Sequence, residues 1–381
     1  PGLSQAAVPT KQPVPGQDNG HGCGHNLFGA ASTAAAIALK NWMVQNKVQG
    51  EVRVYGTPAE EGGSGKVYMV RDGLFKDVDV TLHWHPGNAN SANQGTSMAN
   101  ISGKFRFYGQ SSHASGAPWA GRSALDAVEI MNVANNYLRE HIPDRTRIHY
   151  VITNGGKAPN VVPDFSEVYY YVRNSDPKIV VDVMERVKTA AQGAAMITGT
   201  KVEFEQTGGV YNLLPNDVLG KVMYQSLSNV GGITWTAEET KFAQELAKSL
   251  PNSGGDLSSV GKIQTYRDAD TSGDAGGGST DVADVSWVTP TVGLSTATFV
   301  PGSAGHSWQN VAAGGMSIGL KGAAVAAKTL SLTGAELFSN PELIAQAKAE
   351  LKQRQGEGFV YKSLLGDRKP PLDYRKAGGA E

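Results

Sequence analysis

A thiol and two imidazoles meet in six residues, His21-Gly22-Cys23-Gly24-His25-Asn26, just ahead of a run of small residues with helical spacing. Cys23 is the only cysteine of the chain, so it cannot close an internal disulfide, and its place between histidines suggests chemistry rather than stapling. Thiolate sulfur and imidazole nitrogen are donors that zinc-like cations take. A small buried hydrophobe is the plainer reading of a lone cysteine, and Cys23 by itself does not decide between the two. Glu60 and Glu61 follow the turn Gly56-Thr57-Pro58. Adjacent side chains on an extended segment diverge, so one carboxylate can bind a cation while the other faces a water beside it. That is the layout of a general base in metal-assisted hydrolysis. His83 ends an apolar run, and His85 shares its face if the strand continues. His306 lies in the loop Ser303-Ala304-Gly305-His306-Ser307. Singly, each has a bland alternative: a solvated acidic pair, a core histidine, a turn histidine.

These residues need a scaffold that gathers them. Leu27 to Asn46 repeats apolar and small residues at helical spacing, Glu51 to Tyr55 alternates as a strand does, a short helix is expected over Ser64 to Asp72, and Val78 to His83 reads as a second strand. Helices alternating with buried strands predict an α/β unit whose mainly parallel sheet is covered on both faces, with ligands collecting outside the carboxyl ends of the strands. Near Asn100 the pattern changes. Strands at Lys104 to Tyr108, Arg147 to Thr153, Glu167 to Val172 and Lys201 to Glu205 alternate with helices at Arg122 to His141 and Pro177 to Ile197. This is the β-α-β-β-α-β order of a ferredoxin-like unit. The expected division is therefore a metal-binding domain from residues 1–99 and 207–381 and an inserted α+β lid or dimerisation domain at 100–206. Further helices are expected at Asp217 to Ser228, Ala237 to Leu250, Ala313 to Leu332 and Pro341 to Gln355, with a Gly/Ser/Asp-rich loop over Asn252 to Thr280 and a strand at Thr291 to Ser295.

Bulk properties narrow the partners. The chain has 381 residues, with 34 Lys plus Arg against 35 Asp plus Glu, so nothing draws it electrostatically to nucleic acid or to an acidic membrane. No apolar run is expected to span a bilayer, the Ala-rich stretch from Ala30 to Leu39 included. Small molecules and further copies of the chain are the expected partners, and the expected location is cytoplasmic.

The series His-Gly-Cys-Gly-His-Asn, Glu60-Glu61, His83 and a late His306 resembles the dinuclear metallopeptidase and amidohydrolase superfamily, which includes glutamate carboxypeptidases, aminoacylases and auxin-conjugate amidohydrolases. The stretches HGCGHNLFGAAS and GTPAEEGG are similar to its Cys-Gly-His amidohydrolase branch, and the likeness runs over nearly the whole chain. It implies two divalent metal ions, Zn2+ or Mn2+, held by Cys23, His25, Glu61, His83 and His306, with Glu60 as the base. It implies that His113, within Ser111-Ser112-His113-Ala114-Ser115, reaches the substrate carbonyl, often across a dimer interface. Asn160, Arg173 and the glycine-rich loop of Gly276, Gly277, Gly278, Ser279, Thr280 and Asp281 would receive the substrate's carboxylate. A guanidinium suits that task through paired hydrogen bonds. His85 has no assigned role.

The expected reaction is hydrolysis of the amide of an N-acyl amino acid or dipeptide with a free carboxylate, an aroylglutamate included. The expected assembly is a homodimer through the inserted domain or a hetero-oligomer with a paralogous subunit. Domain closure would pivot near Ala99 and Thr207 to Gly209. The resemblance also places catalytic-sheet strands and an Asp-Ala-Leu-Pro stretch ahead of Pro1, so that the chain reads as a fragment. Two rivals stand beside this reading: a non-catalytic metal-binding partner subunit, and a Cys23 nucleophile with a histidine base.

Overall fold

The computed structural model describes residues 2–252, 254–269 and 278–372. Two sheets organise it. One is a parallel pair, β1 (Thr81–Gly87) beside β6 (Thr291–Ala297); the other is an antiparallel four-stranded sheet in the order β3-β4-β2-β5. The four strands are β2 (Ala99–Tyr108), β3 (Arg147–Asn154), β4 (Phe165–Asn174) and β5 (Lys201–Val210). The fold is thus mixed α/β, a parallel sheet with helices and an inserted α+β unit.

α1 (His25–Asn46), α2 (Gly65–Arg71), α5 (Asp217–Val230), α9 (Trp308–Gly314), α10 (Ser317–Ser339) and α11 (Pro341–Gln355) surround the parallel pair, together with α6 (Ala237–Ala247), α7 (Leu257–Gly261) and α8 (Val282–Ser286). α1 buries Leu27, Ala31, Ala35, Leu39 and Met43, a stripe at four-residue spacing. These small residues let α10 come close: a Cβ at Gly334 would stand 2.4 Å from a Leu39 methyl. By length and composition α1 is long and apolar enough to cross a membrane, which corrects the expectation that no such run exists. In the fold its small residues serve this close helix contact.

In the inserted sheet, α3 (Ala124–Leu138) and α4 (Pro177–Thr198) cover one face, and Phe105, Phe107, Val168, Tyr170 and Val172 alternate into the core beneath them. Burying each such side chain contributes roughly 1.5–3 kcal/mol. Asp176 caps α4, its side chain accepting from Lys178 N, with Pro177 in the first turn, as the sequence predicts.

Three expectations are corrected. No strand forms over 51–55. Arg53 instead pairs with Glu51 and Asp77, and Tyr55 stacks on Phe75 at 4.7 Å. Alternation alone cannot make a strand where no neighbour offers its backbone. The second strand starts three residues later than expected and runs on through His85 to Gly87, paired throughout with β6. The long helix expected over Ala313 to Leu332 is two, α9 and α10, broken at Gly315 and Met316.

Candidate metal centre

Three loops converge with the end of β1 near the carboxyl ends of β1 and β6. The first carries Cys23 and ends in Gly24, which adopts φ 78°. A Cβ there would meet Pro86 at 2.9 Å, so this left-handed turn before α1 suits glycine alone. His25 opens α1. Glu60 and Glu61 sit on a tight turn between Ala59 (φ 64°) and Ser64 (φ 53°), and His306 itself has φ 60°. Left-handed backbone at non-glycine residues costs of order 1–3 kcal/mol each and gathers at functional sites. The Gly22 carbonyl ties two loops together, accepting from His306 N at 3.3 Å and Asn310 Nδ2 at 3.2 Å.

The side chains meet closely. Cys23 Sγ lies 3.4 Å from His85 Nε2. His306 Nε2 is 3.2 Å from Glu61 Oε1, and His25 Nε2 is 3.8 Å from Glu61 Oε1 and 4.0 Å from Glu60 Oε2. Three overlapping triads result, Cys23–His25–His85, Cys23–Glu61–His306 and His25–Glu60–Glu61, with the donor atoms of each within 4.8 Å of one another. Cys23 is common to the first two. One thiol, three imidazoles and two carboxylates in this space match the sulfur, nitrogen and oxygen donors that divalent transition ions take.

His83 is not in this group. It faces Gly293 of β6, and its Nε2 is buried without a hydrogen-bond partner. Two residues of strand advance the chain by about 6.6 Å, so His83 stands one pleat behind the sheet edge that His85 reaches. Burial pushes the His83 imidazole down to about 3. His85, left without a role by the sequence reading, is the histidine beside Cys23. Its Nδ1 is 2.6 Å from the Pro86 carbonyl; a carbonyl only accepts, so Nδ1 carries the proton and Nε2 keeps its lone pair toward Cys23.

Burial favours the uncharged forms of Cys23, His25 and His85. Burial lowers the pKa of His25, partly offset by Glu61, and burial lowers that of His85. The Cys23 thiol is pushed up to about 11, by burial first and then by Glu61 and Glu60. Burial and the nearby Asp281 charge raise the Glu60 carboxyl, while Lys66 and a hydrogen bond with the Thr280 side chain pull it back.

The expected substrate-binding residues lie elsewhere. His113 is exposed in the inserted domain, and its Nδ1 accepts from Ser115 N at 3.3 Å and Gly116 N at 3.0 Å. Its proton is therefore on Nε2, where it can be donated. His113 bridges to Val161, and Ala114 N donates to the Asn160 carbonyl at 3.0 Å, so these two loops are neighbours. Arg173 ends β4 with its guanidinium over the Tyr171 ring at 5.3 Å and its Nε buried without a partner. The Gly278 carbonyl accepts from Met98 N at 2.8 Å, and the Ser279 hydroxyl is buried without a partner. Gly276 and Gly277 lie outside the described residues.

Comparison with known proteins agrees with the architecture. Residues 97–196 match the peptidase dimerisation domain family. The chain is 41% identical over 376 residues to a p-aminobenzoyl-glutamate hydrolase subunit from Escherichia coli, covering 92% of this chain and 78% of the relative. It is 30% identical over 349 residues to Xaa-Arg dipeptidase of Homo sapiens, covering 90% and 72%. Its fold is similar to that of an aminobenzoyl-glutamate utilization protein from Klebsiella pneumoniae, with TM-score 0.56 and 20% identity over 81% of this chain and 66% of the other. It is also similar to a Bacillus subtilis dinuclear metal binding peptidase of the M20 family, with TM-score 0.54 and 14% identity over 88% and 78%. A 41% identical relative matched along nearly the whole chain, with a peptidase dimerisation domain inserted where that unit's sheet stands, shows that this chain belongs to the M20 peptidase family.

Proposed function

We propose that the chain is a metal-dependent amidohydrolase that cleaves the amide of an N-acyl amino acid or dipeptide bearing a free carboxylate, an aroylglutamate such as p-aminobenzoyl-glutamate included. The single observation that carries the reading is the convergence of Cys23, His25, Glu60, Glu61, His85 and His306 at one sheet edge. Cys23, His25, Glu61, His85 and His306 would hold two divalent cations, Zn2+ or Mn2+, with His85 taking the place expected of His83. When bound, such ions polarise a carbonyl and lower the pKa of a water.

The remaining steps fall to protein groups. Glu60, half-buried beside the donor set and raised by burial, takes a proton from the attacking water and passes it to the leaving amine. His113, protonated at Nε2, donates to the carbonyl oxygen as negative charge builds there. Arg173, Asn160 and the segment at Gly278 and Ser279 would bind the substrate carboxylate; the unpartnered Nε of Arg173 and hydroxyl of Ser279 are donors awaiting an acceptor. Assembly through the inserted domain, as a homodimer or with a paralogous subunit, would bring His113 to a neighbouring site. The test is a panel of N-acyl amino acids and dipeptides offered to the purified protein before and after chelation. Hydrolysis that chelation abolishes and Zn2+ or Mn2+ restores is the expected result; hydrolysis indifferent to chelation would overturn the proposal.

A further inference from the structure

The turn that carries Glu60 is wound tightly. Ala59 and Ser64 both hold left-handed backbone, and a Cβ at Gly65 would fall 2.0 Å from the Pro58 carbonyl oxygen. Within the turn, Gly63 N donates to the Ala59 carbonyl at 2.8 Å. A segment more than two hundred residues away grips it from outside. The Asp281 carboxylate accepts from Lys66 N through Oδ2 and from Lys66 Nζ through Oδ1, both at 2.9 Å. The neighbouring Thr280 side chain hydrogen-bonds Glu60 itself. The Asp281 side chain is 1% exposed, so this charge would be costly without Lys66.

We propose that Asp281, with Thr280, is the positioning residue for the Glu60 carboxylate: it fixes the strained 59–64 turn so that Glu60 points at the donor cluster. The inference rests on the hydrolase reading for its catalytic consequence, but not for its structural one. The same segment is bound at its other end, where the Gly278 carbonyl accepts from Met98 N just before β2. One short stretch thus connects the base's turn, the loop expected to receive the substrate carboxylate, and the chain leading into the inserted sheet. Substrate held at Gly278 and Ser279 would therefore be held in register with the base, the kind of orientation in which a 1 Å error costs about a hundredfold in rate.

The test uses Asp281→Asn and the isosteric Thr280→Val in the full chain. In metal-free protein, hydrogen exchange at residues 59–66 should accelerate in Asp281→Asn while the β1 and β6 amides stay protected. In metal-loaded protein, each variant should keep its metal content and KM within about twofold while kcat falls ~10–100-fold, the range for outer-shell partners. Adding Asp281→Asn to Glu60→Gln should lower turnover by less than about twofold more, because the base it positions is gone. Unchanged exchange in Asp281→Asn overturns the proposal, as does full additivity with Glu60→Gln. If Asp281→Asn does not fold, Thr280→Val decides through kcat at constant KM, and a normal kcat there overturns it. A wild-type protein that hydrolyses no amide would instead sink the hydrolase reading, leaving the exchange result to decide the positioning role.

Discussion

Cys23 Sγ and His85 Nε2 stand 3.4 Å apart although 62 positions separate them in the chain. The contact selects between two histidines that share one strand face, and it makes their substitutions distinguishable. His85→Ala should lose at least one cation per chain with little change in thermal stability of the metal-free protein. His83→Ala should keep its metal and lower stability, because it leaves a void against Gly293. Elemental analysis of both variants, with melting curves in chelator, checks this. Metal lost from His83→Ala and kept in His85→Ala would reverse the assignment.

Cys23 should make cation binding depend on pH. With its thiol raised to about 11, it is protonated at neutral pH, so a cation that takes the thiolate must release that proton. Affinity should therefore rise with pH, by up to about tenfold per unit for one released proton. Titration calorimetry between pH 6 and 9 in buffers of different ionisation enthalpy would detect the release. Cys23→Ala should flatten the dependence while weakening binding.

Removing Glu60 should separate chemistry from metal binding. Glu60→Ala is expected to keep its cations and lose turnover by about 100- to 10,000-fold, the range for a general base. Activity within a few-fold of wild type would remove Glu60 from the proposed role.

Asp284 predicts a pH-dependent stability unrelated to the metal centre. It is fully buried, accepting from Tyr361 Oη at 2.7 Å and Tyr211 N at 3.0 Å, and burial raises its carboxyl to about 7. The folded state thus keeps this proton to a higher pH than the unfolded chain, whose value is near 3.8. Its contribution is present below about pH 4 and is lost as pH rises toward 7. Denaturant melts from pH 4 to 8 should show wild type losing more stability over that interval than Asp284→Asn. Equal slopes would place the proton elsewhere.

Much of this was legible in the residues. The Cys23–His25 loop, the acidic pair and His306 carry their chemistry in their types and spacing, and the inserted unit announced itself by its alternating strands and the capped α4. What was not legible depended on long-range pairing. The end of β1 is set by its register with β6, and a strand that runs on from His83 to Gly87 brings His85, not His83, beside Cys23. The alternating run at 51–55 found no partner backbone. Lys66 gave no signal, since its meaning comes from Asp281, a residue two hundred positions on.

A crystal grown with Zn2+ or Mn2+ and measured at the metal's absorption edge tests the assignment most directly. Anomalous peaks bonded to Cys23 Sγ and His85 Nε2 and reaching His25, Glu61 and His306 are the predicted result. Peaks at His83, or a protein that still cleaves its amide with this cluster empty, would contradict it.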